Sequence, residues 1–61
     1  MRSFIVKTYD PAFPPALIKA EKPRDAAKTA RACGMPNPVL VFTVDRNKQE
    51  KKCVARVCFL D

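Results

Sequence analysis

The stretch Pro23-Arg24-Asp25-Ala26-Ala27-Lys28-Thr29-Ala30-Arg31-Ala32-Cys33-Gly34 decides how this chain folds. Pro23 opens a helix, because proline is tolerated at the first helical position, where its missing N–H would lack an intrahelical partner anyway. Asp25 stands in the first turn, where a negative charge meets the positive end of the helix dipole. Ala26, Ala27 and Ala30 are strong helix formers. Arg31, near the other end, has the favourable sign. Gly34 supplies the left-handed residue that commonly ends a helix, and Pro36 and Pro38 prevent resumption. Start and stop signals agree, and they predict a helix over 23–33. At roughly 100° per residue, Ala26, Thr29, Ala30 and Cys33 share one side, small enough to approach a sheet closely. Arg24, Lys28 and Arg31 share the opposite side as an electropositive stripe with no acidic residue in it.

Strand signals lie on both sides of this helix. Residues 3–9 are rich in β-branched and aromatic types and read as a strand. Pro11, Pro14 and Pro15 then forbid a regular helix or interior strand, so 10–15 is a rigid turn. Residues 16–21 alternate, with Ala16, Ile18 and Ala20 on one side and Leu17, Lys19 and Glu21 on the other. Val39-Leu40-Val41-Phe42-Thr43-Val44 is apolar on both faces, which predicts a central strand. The polar segment 45–50 reads as a hairpin loop. Residues 51–60 form the last strand, with Cys53, Ala55, Val57 and Phe59 on one face and Lys52, Val54, Arg56 and Cys58 on the other.

The order strand, strand, helix, strand, strand defines the expected fold. It is a single small α+β domain over 1–61, an antiparallel sheet of about four strands with the helix on one face. Phe4, Val6, Ile18, Leu40, Phe42, Val57 and Phe59 are the expected large partners of the helix. The open face is expected to carry Ile5, Lys7, Tyr9, Lys19, Val41, Thr43, Lys52, Val54 and Arg56.

Composition narrows the chemistry. The chain has 61 residues, no His, no Trp and one Gly. Without His, the side chain best suited to proton transfer near neutral pH is missing. With Gly34 as the sole glycine, neither a phosphate-cradling loop nor a dinucleotide fingerprint can be written. Cys33, Cys53 and Cys58 form no C-x-x-C pair, and an odd number argues against a fully paired secreted framework. They are expected to be reduced and to behave mainly as small apolar residues. Asp45 and Glu50 flank one loop that lacks the glycine of a calcium loop. No metal, cofactor or catalytic residue is expected, and the protein reads as non-enzymatic. The amino-terminal apolar run, Phe4-Ile5-Val6, is too short for a signal peptide, and no segment approaches the ~18 apolar residues of a membrane span. The expected location is cytoplasmic, with no membrane partner.

Twelve Lys and Arg stand against six Asp and Glu, a formal net charge of +6. The resulting pI is near 9.7. That density suggests an anionic partner, either nucleic acid or an acidic protein complex. A chain this small buries only roughly 60% of its unfolded surface, so self-association would add useful buried area.

Over Ile18-Lys19-Ala20-Glu21-Lys22-Pro23-Arg24-Asp25-Ala26-Ala27-Lys28-Thr29-Ala30 the chain resembles small phage-encoded inhibitors, in particular the ninth family of type I-F anti-CRISPR proteins. There too a strand ending in a charged residue runs straight into an alanine-bearing amphipathic helix, followed by a strand hairpin. The resemblance is one of layout and transfers no individual functional residue. It implies a non-catalytic inhibitor that docks on the backbone subunits of an RNA-guided surveillance complex and hinders target DNA pairing.

Three functional readings follow. One is a protein-directed inhibitor of a nucleic-acid-handling complex. Another is a module that binds DNA or RNA directly, through the helix stripe or through basic and aromatic residues on the open sheet. The third is a homodimer with a regulatory or structural role. The candidate partner-binding or nucleic-acid-binding residues are Lys7, Tyr9, Lys19, Arg24, Lys28, Arg31, Lys52 and Arg56.

Overall fold

A computed structural model describes residues 2–60. Its elements are β1 (Arg2–Lys7), β2 (Ala16–Ala20), α1 (Pro23–Ala32), β3 (Val39–Val44) and β4 (Glu50–Val57). The four strands form one antiparallel sheet in the order β2-β1-β3-β4. The expected α+β architecture is therefore the observed one. β1 and β3, dense in β-branched and aromatic residues, take the two central places. β2, entered through Pro14-Pro15, and the charged β4 take the edges, where proline and lysine discourage further strand pairing.

Register assigns the two faces, because residues paired across antiparallel strands project to the same side. Phe4 pairs with Ile18 on β2 and Thr43 on β3, and Val6 with Ala16 and Val41. Val39 pairs with Val57, and Val41 with Ala55. Phe4, Val6, Val39 and Val41 are fully buried beneath Ala26, Ala27 and Ala30 of α1. Ile18, Ala55, Val57 and Phe59 pack against this cluster from its margin.

Several assignments made from the sequence change. Leu40 and Phe42 do not face the helix, since they pair with Lys7 and Ile5 on the opposite side. Val39 and Val41 hold the helix side instead, and Thr43 shares the side of Phe4. On α1, Thr29 and Cys33 are exposed and Ala27 is buried, so the inward face is centred one position further round. β4 is irregular at two places: Phe42 pairs with Cys53 and Val41 with Ala55, so the extra residue Val54 shifts the alternation, and a second shift lies between the Phe42–Cys53 and Val44–Glu50 pairs. Cys53 is thereby carried to the open side, away from Ala55 and Val57. All three cysteines are exposed thiols rather than small core residues.

The ends of α1 are built as the sequence predicts, with one addition. Pro23 occupies the first turn after an extended Lys22, and Asp25 is the acidic residue there. At the other end Gly34 has φ +100°. Its N–H donates to the Arg31 carbonyl at 3.0 Å and the Met35 N–H to the Ala30 carbonyl at 3.2 Å. These two bonds are a Schellman closure, which commonly places an apolar residue just beyond the glycine against the helix. Met35 is that residue, and it is buried in the core.

The segment after the helix ties the molecule together. Thr8 Oγ1 donates to the Pro36 carbonyl at 3.1 Å. Asn37 holds the carboxy-terminal segment with both ends of its amide: Nδ2 donates to the Phe59 carbonyl at 2.6 Å, and Oδ1 accepts from the Phe59 N–H at 2.9 Å. The side chain thus imitates one rung of a β-ladder for a residue that lies beyond β4.

Two substitutions test this account. Phe4→Ala should cost roughly 3–5 kcal/mol. That approaches the whole stability of a domain this small, so the variant should lose its far-ultraviolet circular dichroism at 25 °C. Asn37→Ala should cost roughly 1–3 kcal/mol in urea unfolding, through the unpaired groups it leaves at Phe59. An Asn37→Ala protein with parental stability would show that the amide does not anchor 58–60.

Candidate functional site

The side of the sheet away from α1 has no second layer over it. The molecule is 17 Å across its thinnest direction, the depth of one sheet and one helix. Its 4382 Å² of accessible surface exceeds the ~4000 Å² expected for a compact chain of 6.9 kDa. Register aligns an apolar row across all four strands of this face: Leu17, Ile5, Phe42 and Cys53, with Val54 beside Cys53 at the bulge. Leu17 is 51% and Val54 40% exposed, while Ile5 and Phe42 are half-buried.

A second row holds Lys7, Leu40 and Arg56. Leu40 is only 9% exposed although no helix lies over it. Its row neighbours are two long cationic side chains, whose aliphatic stems can cover apolar surface while the charged heads reach water. On the other flank Lys19 stands opposite Ser3, and Val44 opposite Glu50. The apolar centre is therefore bordered by Lys19 on one edge strand and Arg56 on the other, both exposed.

Lys7 is not an available cation. Its Nζ lies 2.5 Å from Glu50 Oε1 and 4.7 Å from the centroid of the Phe42 ring. Half-buried attraction to a carboxylate and to a ring quadrupole holds the ammonium over the face. The polar run 45–50 predicts a loop position for Glu50. It is the first residue of β4, and its pairing with Val44 aims it across the sheet at Lys7.

Of the eight predicted site residues, Lys7, Lys19 and Arg56 come together on this face. Tyr9 does not: β1 ends at Lys7, and Tyr9 stands 67% exposed in the bend that follows. Lys52 is not in the apolar rows either. Its backbone N–H donates to Thr43 Oγ1 at 3.2 Å, so it stands opposite a helix-side residue. Arg24 and Lys28 project outward from α1 as expected. Arg31 is half-buried, and its Nη1 donates to the Met35 carbonyl at 2.9 Å, so this member of the stripe supports the helix end. The two charged surfaces, α1 and the open sheet, lie on opposite sides of the molecule.

No cleft or enclosed cavity opens among the described residues. No group of three or more potential metal ligands occurs among them. Among the described residues no helix is long and apolar enough to cross a membrane. No family model, curated protein or solved structure matches this chain.

The Lys7–Glu50 pair gives a direct test of the face's electrostatics. Glu50→Gln should change stability by less than about 1 kcal/mol, as for other partly exposed ion pairs. It adds one positive charge to the formal +6. It should therefore elute from a heparin column at higher salt than the parent, and unchanged elution would mean the pair does not mask Lys7.

Proposed function

We propose that this is a non-enzymatic, basic binding protein that docks on a nucleic-acid-handling complex of a host cell and hinders nucleic-acid access. This is the role implied by the resemblance to phage-encoded inhibitors of RNA-guided surveillance complexes, and it belongs in the host cytoplasm. The observation that supports the docking half of the reading is the uncovered sheet face. It is an apolar row spanning four strands, bordered by Lys19 and Arg56. Uncovered apolar surface rimmed by polar residues is what interaction sites present.

Direct nucleic-acid binding is the second reading, and Arg24 and Lys28 favour it, being exposed side by side on α1. Two phosphate contacts are few: log affinity should fall with log salt at a slope near −2 or shallower. The sheet face adds little to that reading, because stacking platforms need open aromatic rings. Its one aromatic, Phe42, already lies against the Lys7 ammonium.

Affinity capture with the tagged chain, run with and without nuclease, separates the two. The docking reading expects the same protein complex in both arms. Recovery lost on nuclease treatment would favour direct nucleic-acid binding. Recovery of no nucleic-acid-handling complex in either arm would overturn the docking reading.

A further inference from the structure

We propose that the open sheet face is the seat for an amphipathic α-helix of a partner protein, one whose apolar stripe is flanked by Asp or Glu. The proposal rests on the docking reading above and names what docks. Its first support is shape. Leu17, Ile5, Phe42 and Cys53 span four strands, about 14 Å at the usual strand spacing. That width accommodates one helix with its side chains, about 10–12 Å across. The sheet already receives a helix in this manner on its other side, where α1 lies over Phe4, Val6, Val39 and Val41.

The second support is charge. Lys19 and Arg56 bracket the apolar row from β2 and β4, and neither forms an ion pair among the described residues. A helix lying between them meets one cation on each flank, so carboxylates at both margins of its apolar stripe are complementary. The same pattern disfavours a second copy of this chain. Another open face brings the same Lys19 and Arg56, and the outer side of α1 brings Arg24 and Lys28, so self-docking opposes like charges. It also disfavours single-stranded nucleic acid, since Ile5, Leu17, Leu40 and Val54 have no π-face on which a base could stack.

The test uses the full chain, isotope-labelled for amide NMR, and two synthetic helical peptides of about 20 residues (~30 Å). Both carry the same Leu/Ala stripe, flanked by Glu in one and by Lys in the other. A single-stranded oligonucleotide is the third probe. The Glu-flanked peptide should shift the amides of Ile5, Leu17, Phe42 and Val54, and its affinity should weaken as salt rises. Leu17→Glu and Arg56→Glu, both at exposed positions, should each weaken it roughly tenfold with circular dichroism unchanged. Arg24→Glu on the opposite side should leave it as it was. Equal binding of the Lys-flanked peptide would overturn the proposal. So would shifts confined to α1, stronger shifts of the same amides by the oligonucleotide, or a sedimenting dimer that buries those amides. If neither peptide binds while capture recovers a complex, the acidic helix is wrong and docking stands. If the Glu-flanked peptide binds while capture recovers nothing, the seat stands and the docking target is wrong.

Discussion

The seating of three alanines on four large side chains is the contact from which the rest of this small molecule follows. Ala26, Ala27 and Ala30 bring the backbone of α1 close to the sheet because their side chains end at Cβ. Phe4, Val6, Val39 and Val41 supply the volume from below, and all four are fully buried. Division of labour between a small-residue helix and a large-residue sheet lets a short chain fill one interface densely. It also has a cost in coverage, because one helix of ten residues can shield only one side of a four-stranded sheet. The open face and its half-exposed Ile5, Leu17, Phe42 and Val54 are the direct consequence of that single interface.

The loop after α1 makes the interface durable. Gly34 reverses the chain, Met35 fills the end of the core, and Arg31 returns from the helix to hold the Met35 carbonyl. Asn37 then grips Phe59, whose side chain packs on the core margin. The one segment thus links the helix end, the end of β1 through Thr8 and the carboxy-terminal residues. A basic residue that looks available on a helical wheel is here part of the frame. Charge counted from sequence overstates the charge a surface can offer, and Lys7, held by Glu50, is a second instance.

Helix and element order were legible because their signals are local and redundant. Pro23, Asp25, Gly34 and Pro36 mark the boundaries of α1, and each acts within a turn of its own position. The phase of β3 was not legible, for a physical reason. Val39 to Val44 is apolar at alternate positions of both sets, so no polar side declares which face meets water. Only the register against β1, pairing Val6 with Val41, decides it. A one-residue choice then exchanges Leu40 and Phe42 with Val39 and Val41, as any strand slip must. The bulge at Cys53 and Val54 was hidden because an extra residue leaves no mark in an alternating pattern. Met35, by contrast, could have been found: the residue after a helix-ending glycine commonly packs back on the last turn.

Those two non-local features jointly determine what the open face can bind. Had β3 taken the other phase, Val41 and Thr43 would lie beside Lys7, giving a smaller and more polar surface with no aromatic ring. Had β4 run without its bulge, Cys53 would point toward the helix side and the apolar row would end at Val54 alone. With the observed phase, Phe42 sits at the middle of the row, and the Lys7 ammonium lies over its ring to meet Glu50. One cation is thereby removed from the centre of the face, while Lys19 and Arg56 remain at its margins. A surface neutral in the middle and positive at the edges favours a rod with an apolar stripe and acidic sides over a uniformly charged polyanion. That distribution of charge is a consequence of strand register rather than of net charge.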